Sequence, residues 1–324
     1  MFINNKWVFR VASSTKDGGG HMMRCLSLAR ELIKYAPVHF LLCHKSEYWS
    51  KKITDQGVTS GVYNSPDDIY KSNLLVDGYH FSDVEINKWR RKCNKMVIIS
   101  DSDNIKGGAD IFVVSPGIKI DQSSLLKGVI LHGSEYALLA PEYAKNIPAC
   151  NAKYVKNILV TCGLSDSKNF IGSALEALSK VNFCGDVSVA IGRKAPHVNK
   201  LLNTIGNYNF SVNLVLDSDN LHDLVSKSDM IIGTGGVSLL ERMALGKPSV
   251  TIIAAENQRN QVEWSKSIGA TIMIDPLDEK FQYNLECAIE CLIQSLIKRS
   301  NLGSRGGRYV DGKGCKRVAK YMAF

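Results

Sequence analysis

No C-x-x-C pair occurs among the nine cysteines, which are an odd number and stand dispersed at 25, 43, 93, 150, 162, 184, 287, 291 and 315. Cys25, Cys43 and Cys162 lie inside apolar segments and read as reduced core residues of a cytoplasmic protein. The seven histidines form no metal-ligand cluster with them, so neither a metal nor a cofactor is expected. No apolar run approaches the ~18 residues of a membrane span. Met1 to Lys6 leads directly into a strand pattern rather than a signal peptide, which again points to the cytoplasm. Neither half carries a G-x-x-x-x-G-K-[ST] loop. The G-x-G pattern near residue 18 lacks both a third glycine and the acidic residue that a dinucleotide site places about 20 residues later. ATP hydrolysis and NAD chemistry are therefore disfavoured.

What is present is an ordinary globular composition, with 45% apolar and 22% charged residues over 324 positions. That length exceeds the usual single core of about 250 residues, so two domains are expected. The net charge of +9, from 40 Lys and Arg against 31 Asp and Glu, suits an anionic ligand. Its densest group, Arg90, Arg91, Lys92 and Lys95, reads as a solvated helix face. No aromatic-plus-basic motif accompanies it, so nucleic acid is not an expected partner.

Apolar β-type runs recur at Lys6 to Ala12, Val38 to Cys43, Asn73 to Asp77, Met96 to Ile99, Asp110 to Val114 and Gly128 to Leu131. Helix-like segments, among them Glu47 to Gln56 and Phe81 to Lys92, lie between them. After a looser stretch from Ala140 to Ala152, strands repeat at Asn157 to Gly163, Asp186 to Ile191, Ser211 to Leu216, Met230 to Ile232, Ser249 to Ile253 and Thr271 to Met273. Lys168 to Lys180, His222 to Lys227 and Val237 to Leu245 read as helices among them. Continuous apolar strands alternating with helices predict two α/β domains with parallel sheets, residues 1–147 and 148–324. In such sheets ligands lie beyond the carboxyl ends of the strands, which places the expected site in a cleft between two facing domains.

Two strand-turn-helix junctions carry the chemistry. In the first, Gly18, Gly19 and Gly20 remove every Cβ from the turn ahead of His21, where the first helical N–H groups favour an anion. Histidine is the proton carrier of neutral pH, so acid/base chemistry beside a phosphate is one reading; a flexible turn with a solvent-facing His is the other. In the second, Gly235, Gly236, Val237 and Ser238 can hold a diphosphate while Glu241, one turn on, can accept hydrogen bonds from ribose hydroxyls. Asp77, Tyr79 and His80 end a strand. Tyr79 there holds His21 in one tautomer, positions a water, or caps the core rim. Asn257 holds a sugar hydroxyl or the reacting water, or caps the helix through Val262 and Trp264.

Together, Gly18-Gly19-Gly20-His21-Met22-Met23-Arg24-Cys25-Leu26-Ser27-Leu28-Ala29, Val76-Asp77-Gly78-Tyr79, Tyr136 to Tyr143, Gly233 to Glu241, Leu245-Gly246-Lys247-Pro248 and Asn257-Gln258 resemble the UDP-sugar hydrolase family of pseudaminic acid biosynthesis. That family is similar in turn to the peptidoglycan N-acetylglucosaminyltransferase, with its GT-B fold of two Rossmann-like domains. The last residues, Val310 to Arg317, also look like the terminus of longer members, and the final helix is a candidate to return to the first domain.

The resemblance implies release of UDP from a UDP-2,4-diacetamido-2,4,6-trideoxyhexose by water attack at the anomeric carbon with inversion, without a metal. It implies His21 as catalytic histidine, Tyr79 near the water and Asn257 on the sugar side. Gly235 to Ser238 would hold the diphosphate and Glu241 the ribose. Gly18, Gly19, Gly20, Arg24, Asp77 and Gln258 are the further substrate-binding candidates. Departures stand at Ala12 and Ala140, where the family leads one to expect Asp and Arg, at Ser100-Asp101 for Asp-Asp, and at Gly163-Leu164 for Gly-Gly. They keep two alternatives in view: a GT-B glycosyltransferase acting from a nucleotide donor, and a sugar-nucleotide-binding homologue without catalysis. The expected partner is a UDP-sugar, and a monomer fits.

Overall fold

The computed structural model describes residues 6–13, 19–102, 108–120, 128–144, 152–218 and 220–324. Gly18 of the first glycine turn, and residues 145–151 of the expected linker, lie outside them.

The first series comprises β1 (Trp7–Val11), α1 (Gly20–Leu32), β2 (Val38–Leu42), α2 (Glu47–Thr54), β3 (Thr59–Val62), β4 (Asn73–Asp77), α3 (Asp83–Arg90), β5 (Lys95–Ser100), β6 (Ile111–Val114) and β7 (Val129–His132). Its sheet runs β3-β2-β1-β4-β5-β6-β7 with every neighbouring pair parallel. The central strands read as unbroken apolar runs because helices cover both faces: β1 and β4 are buried at all five positions. Residues of alternate parity feed two cores. Phe9, Val11 and Leu75 pack with α1, whereas Val8, Leu74 and Val76 pack with Ile86 and Trp89 of α3.

The second series comprises β8 (Asn157–Thr161), α4 (Phe170–Lys180), β9 (Asp186–Ile191), α5 (Val198–Thr204), β10 (Ser211–Leu216), α6 (Leu221–Lys227), β11 (Met230–Thr234), α7 (Val237–Ala244), β12 (Ser249–Ile252), α8 (Arg259–Ser267), β13 (Ile272–Ile274), α9 (Phe281–Gln294) and α10 (Leu296–Tyr309). Its parallel sheet runs β10-β9-β8-β11-β12-β13. Both sheets start at an inner strand, wind to one edge and then reverse, so each has a topological switch point, β1/β4 in one and β8/β11 in the other.

The chain divides into two compact units, residues 1–141 with 312–324, and residues 142–311. The first boundary lies at 141/142 rather than 147/148, and the last residues group with the first unit, for identifiable reasons. Tyr143 belongs to the second unit, where its ring meets His222 at 5.1 Å and its hydroxyl bonds Glu241. At the other end α11 (Gly314–Ala323) buries Cys315, Val318, Ala319 and Met322 in the core formed by β1 and α1. Arg317 ties it down by donating to the Glu135 carbonyl at 2.8 Å.

Strand β3 was not among the expected strands. Its sequence, TSGV, has no apolar run and its residues are exposed or half-buried, because it forms the sheet edge.

Candidate functional site

Residue Val11 of β1 lies in register with Asp77 of β4, so the switch point of the first sheet brings the Asp77 carboxylate beside the chain that enters α1. Gly19 caps α1 without a side-chain bond, His21 is its second residue, and Arg24 follows three residues later on the same face. Asp77 is completely buried and takes four donors. His21 Nδ1 lies 2.7 Å from Oδ1 and Arg24 Nη2 2.6 Å from it; Arg24 Nε lies 2.7 Å and Cys25 Sγ 3.2 Å from Oδ2.

Burial by itself raises the Asp77 pKa, but the Arg24 charge, then that of His21, and the hydrogen bonds of both outweigh it and hold the carboxyl well below the usual range. Asp77 is therefore ionised and can only accept. That fixes the tautomer: Nδ1 of His21 carries hydrogen and Nε2 is the basic nitrogen of the neutral ring. The 3.1 Å approach of Arg24 Nη2 to Nδ1 is proximity around a shared oxygen, since both atoms donate to it.

Arg24 spends its third nitrogen, Nη1, on both oxygens of Asp101 at 2.8 and 2.7 Å. Asp101 also accepts the Tyr79 hydroxyl at 2.6 Å and that of Ser115. The Tyr79 ring meets the His21 ring edge-on, with centroids 4.6 Å apart. Two points of the sequence reading change. Arg24 and Asp77 form the buried support of His21 rather than a surface for substrate, because their polar atoms are spent on each other and on Asp101. The His21 tautomer is set by Asp77, and Tyr79 turns its hydroxyl to Asp101. Ala12 is buried, and a Cβ on Gly78 would come within 2.8 Å of the Ala12 Cβ, so residue 12 is packed into the strand end. At Gly20 an added Cβ would meet nothing within 4 Å, so among the described residues the helix start is open.

In the second unit β11 ends at Thr234 and α7 begins at Val237. Gly236 between them adopts φ +83°, which a residue with a side chain rarely takes, and a Cβ on Gly235 would come within 2.7 Å of Val262 Cγ2. The glycines thus serve a close-packed turn against α8. The Gly236 N–H donates to Gln261 Oε1 at 2.8 Å, so it is not available to an anion as expected. The N–H groups of Val237 and Ser238, first in α7, have no intrahelical acceptor. Arg242, fully buried, lies under this turn. It donates from Nη2 to the Thr234 carbonyl at 2.9 Å and from Nη1 to Ser238 Oγ at 3.3 Å, and Gly233 leaves room for its guanidinium.

Glu241 is half-buried, and desolvation pushes its carboxyl up to about 7 against the opposing pull of Arg242 and of the Tyr143 hydrogen bond. Gln258 turns inward, its Oε1 accepting from the Ala254 N–H at 3.2 Å, whereas Asn257 is exposed. The other helix start at this sheet's switch point is plugged. Asp166 after β8 accepts the Phe170 and Ile171 N–H groups of α4 at 2.9 and 3.0 Å. Among the described residues no three His, Cys, Asp or Glu side chains gather as a metal site requires.

Sequence reasoning named Asp101 only within a departure from the family pattern, giving it no role, and did not single out Ser115, Arg242 or Gln261. The first two carried a usable signal, since each follows the last residue of a parallel strand, β5 or β6. Gln261 is joined to the turn only by tertiary packing, whereas Arg242, one helical turn after Ser238, reads in sequence as an ordinary helix position.

No protein-family model matches the chain. It is 29% identical over 297 residues to an uncharacterized protein of Methanocaldococcus jannaschii, covering 84% of this chain and 60% of that one. To the spore coat polysaccharide biosynthesis protein SpsG of Bacillus subtilis it is 26% identical over 196 residues, 60% of this chain and 58% of that one. The chain thus spans about 60% of the length of these two relatives. To the UDP-2,4-diacetamido-2,4,6-trideoxy-beta-L-altropyranose hydrolase of Campylobacter jejuni it is 24% identical over 268 residues, 80% of this chain and 95% of that one. Among solved structures it is similar to MurG of Acinetobacter baumannii, with TM-score 0.66, 12% identity, and 98% and 99% of the two chains covered. It is likewise similar to CalG4, the calicheamicin glycosyltransferase, with TM-score 0.62, 12% identity, and 98% and 97% covered. At such identity the structural likeness concerns the fold, which is GT-B. In sequence the chain is a distant relative of the UDP-sugar hydrolase family that its motifs resemble.

Proposed function

We propose that the protein acts on a nucleotide-activated sugar and hydrolyses it, releasing UDP from a UDP-2,4-diacetamido-2,4,6-trideoxyhexose on a cytoplasmic route to a nonulosonic acid for a surface glycan. The observation that carries this reading is the buried Asp77–His21 pair, 2.7 Å apart, which leaves Nε2 as a base. In the reaction Nε2 takes a proton from water while the water oxygen bonds to the anomeric carbon. The bond from that carbon to the UDP oxygen breaks from the opposite face, its electron pair leaves with the diphosphate, and configuration inverts. Asp77 stabilises the imidazolium that forms. The α7 start, with the N–H groups of Val237 and Ser238 above the buried Arg242, supplies donors for the diphosphate, and Glu241 supplies acceptors for the ribose. Asn257, exposed after β12, is proposed as a sugar-side ligand.

Transfer to an alcohol or amine acceptor is the second reading, favoured by the glycosyltransferase among the structural neighbours and by Ala140 in place of an expected Arg. Incubation with a panel of UDP- and CMP-sugars tests both. Nucleotide release without acceptor is the expected outcome, with His21→Ala lowering it by roughly a hundredfold or more. Release only when an acceptor is added would establish transfer, and full activity of His21→Ala would sink the mechanism.

A further inference from the structure

The buried residues of α7 are Leu239, Leu240, Met243 and, among these apolar side chains, Arg242, none of whose surface is exposed. Its guanidinium lies beneath the turn that joins β11 to α7, and its acceptors are all neutral. Nη2 donates to the Thr234 carbonyl at 2.9 Å and to Thr251 Oγ1 at 3.2 Å, and Nη1 donates to Ser238 Oγ at 3.3 Å. Nε is buried as well and has no acceptor among the described residues. No carboxylate among them forms an ion pair with Arg242; Glu241, the residue before it, acts on it through charge alone. Burial pulls the guanidinium down to about 10, so it remains a cation at neutral pH.

A buried charge without a counter-ion is costly, and an apolar side chain of similar volume would fill such a position more stably. The turn is nonetheless shaped around this one, since a Cβ on Gly233 would come within 2.8 Å of Nη1. Hydroxyl groups fix the direction of its hydrogen bonds. Thr251 Oγ1 accepts from Arg242, so its hydrogen goes to Thr271 Oγ1 at 2.6 Å, and that of Thr271 goes to the Ser249 carbonyl at 2.9 Å. Ser238 Oγ also accepts from Arg242, so the hydrogen of this half-buried side chain points away from the guanidinium. Its acceptor among the described residues is the Thr234 carbonyl, at a long 3.5 Å, and Nη2 already holds that oxygen. A phosphate oxygen over the turn is a stronger acceptor.

We propose that Arg242 is a positioning residue for the leaving group: from beneath the α7 turn, without touching the ligand, it supplies the counter-charge of a diphosphate and turns the Ser238 hydroxyl into a donor toward it. The turn is thereby selective for a multiply charged ligand. The inference rests on the reading that this turn holds the diphosphate, and not on whether water or another acceptor takes the sugar.

Calorimetric binding of UDP, UMP and uridine to the full chain tests it. Arg242→Gln should weaken UDP roughly ten- to a hundredfold, the worth of a hydrogen bond to a charged group, weaken UMP less, and leave uridine within about twofold. Arg242→Lys, which keeps the charge and gives up the fork, should recover most of the UDP affinity. Equal losses for UDP and uridine, or Gln and Lys variants that bind UDP alike, would mark Arg242 as merely structural and overturn the proposal.

A second measurement needs no variant that folds. The Arg242 Nε–H resonance of the wild type, observed by 15N-arginine NMR, should shift with UDP and with inorganic pyrophosphate and stay in place with uridine. An unmoved resonance at saturating UDP overturns the proposal. If the protein bound no uridine nucleotide, the nucleotide reading of the turn would fail while pyrophosphate still decided the role of Arg242 through this resonance. A resonance that pyrophosphate also left in place would then overturn the proposal as well.

Discussion

Glu241 combines a half-buried carboxyl, a neighbouring Arg242 and a hydrogen bond from Tyr143, with a pKa raised from 4.5 to about 7 by burial. A carboxyl whose folded pKa lies above its unfolded one favours the folded state in its protonated form. Its contribution is complete below about 4.5 and is lost as pH rises through about 7. One pKa unit corresponds to about 1.4 kcal/mol, and partial exposure reduces the effect, so a loss on the order of 2 kcal/mol is expected between pH 4.5 and 8. Glu241→Gln should flatten that part of the stability curve, measured as Tm against pH. An unchanged slope would show that Glu241 does not titrate there. Asp77 and Asp101 have the opposite sign: Arg24 keeps both ionised in spite of burial, so their contribution is present at neutral pH and disappears in acid. At this scale His21 and Asp77 were legible in the sequence because a glycine turn and a strand end mark them. The role of Asp77 was not, because only the β1/β4 register shows that its carboxylate points under the helix rather than out of it.

The helix start of α1 is where the proposed function brings element and substrate together. Gly20 is the first residue of α1, and an added Cβ there touches nothing within 4 Å among the described residues, so Gly20→Ala removes backbone freedom from the unfolded chain without a clash against any of them. Stability should stay level or rise by up to about 1 kcal/mol. Activity should fall, because the methyl group would stand where the sugar approaches His21; Tm and kcat/KM measured on the same variant separate the two effects. Unaltered kcat/KM would show that substrate does not come close to this turn. Elements with a strong apolar period were legible: α7 spans Val237–Ala244 and β9 Asp186–Ile191, within a residue of their sequence limits. Edge strand β3 was not, since a strand with one neighbour and no buried side chain needs no apolar pattern. The turn before α7 was legible as glycine-rich, but its internal bond from Gly236 to Gln261 depends on α8, which the local sequence does not specify.

For the whole molecule, the distribution of buried side chains predicts how it unfolds. Among the described residues, the buried apolar side chains of the cores around β1 and β4 lie within residues 7–138 and 315–322, whereas those of the core around β8 and β11 lie within residues 158–292, with Val155, Ile293 and Leu302 packed against them. Two units with separate cores are expected to melt as two transitions rather than one. The proposed nucleotide ligands, Val237, Ser238 and Glu241, all belong to the unit of residues 142–311. A ligand that binds only the folded form of one unit stabilises that unit by about 2.7 kcal/mol at a hundredfold excess over Kd. UDP should therefore raise one calorimetric transition and leave the other in place. Deleting residues 312–324, which removes Cys315, Val318, Ala319 and Met322 from the first core, should lower the transition that UDP does not move. Were UDP to raise both transitions equally, the nucleotide would be engaging both units, and its assignment to the α7 turn alone would fail.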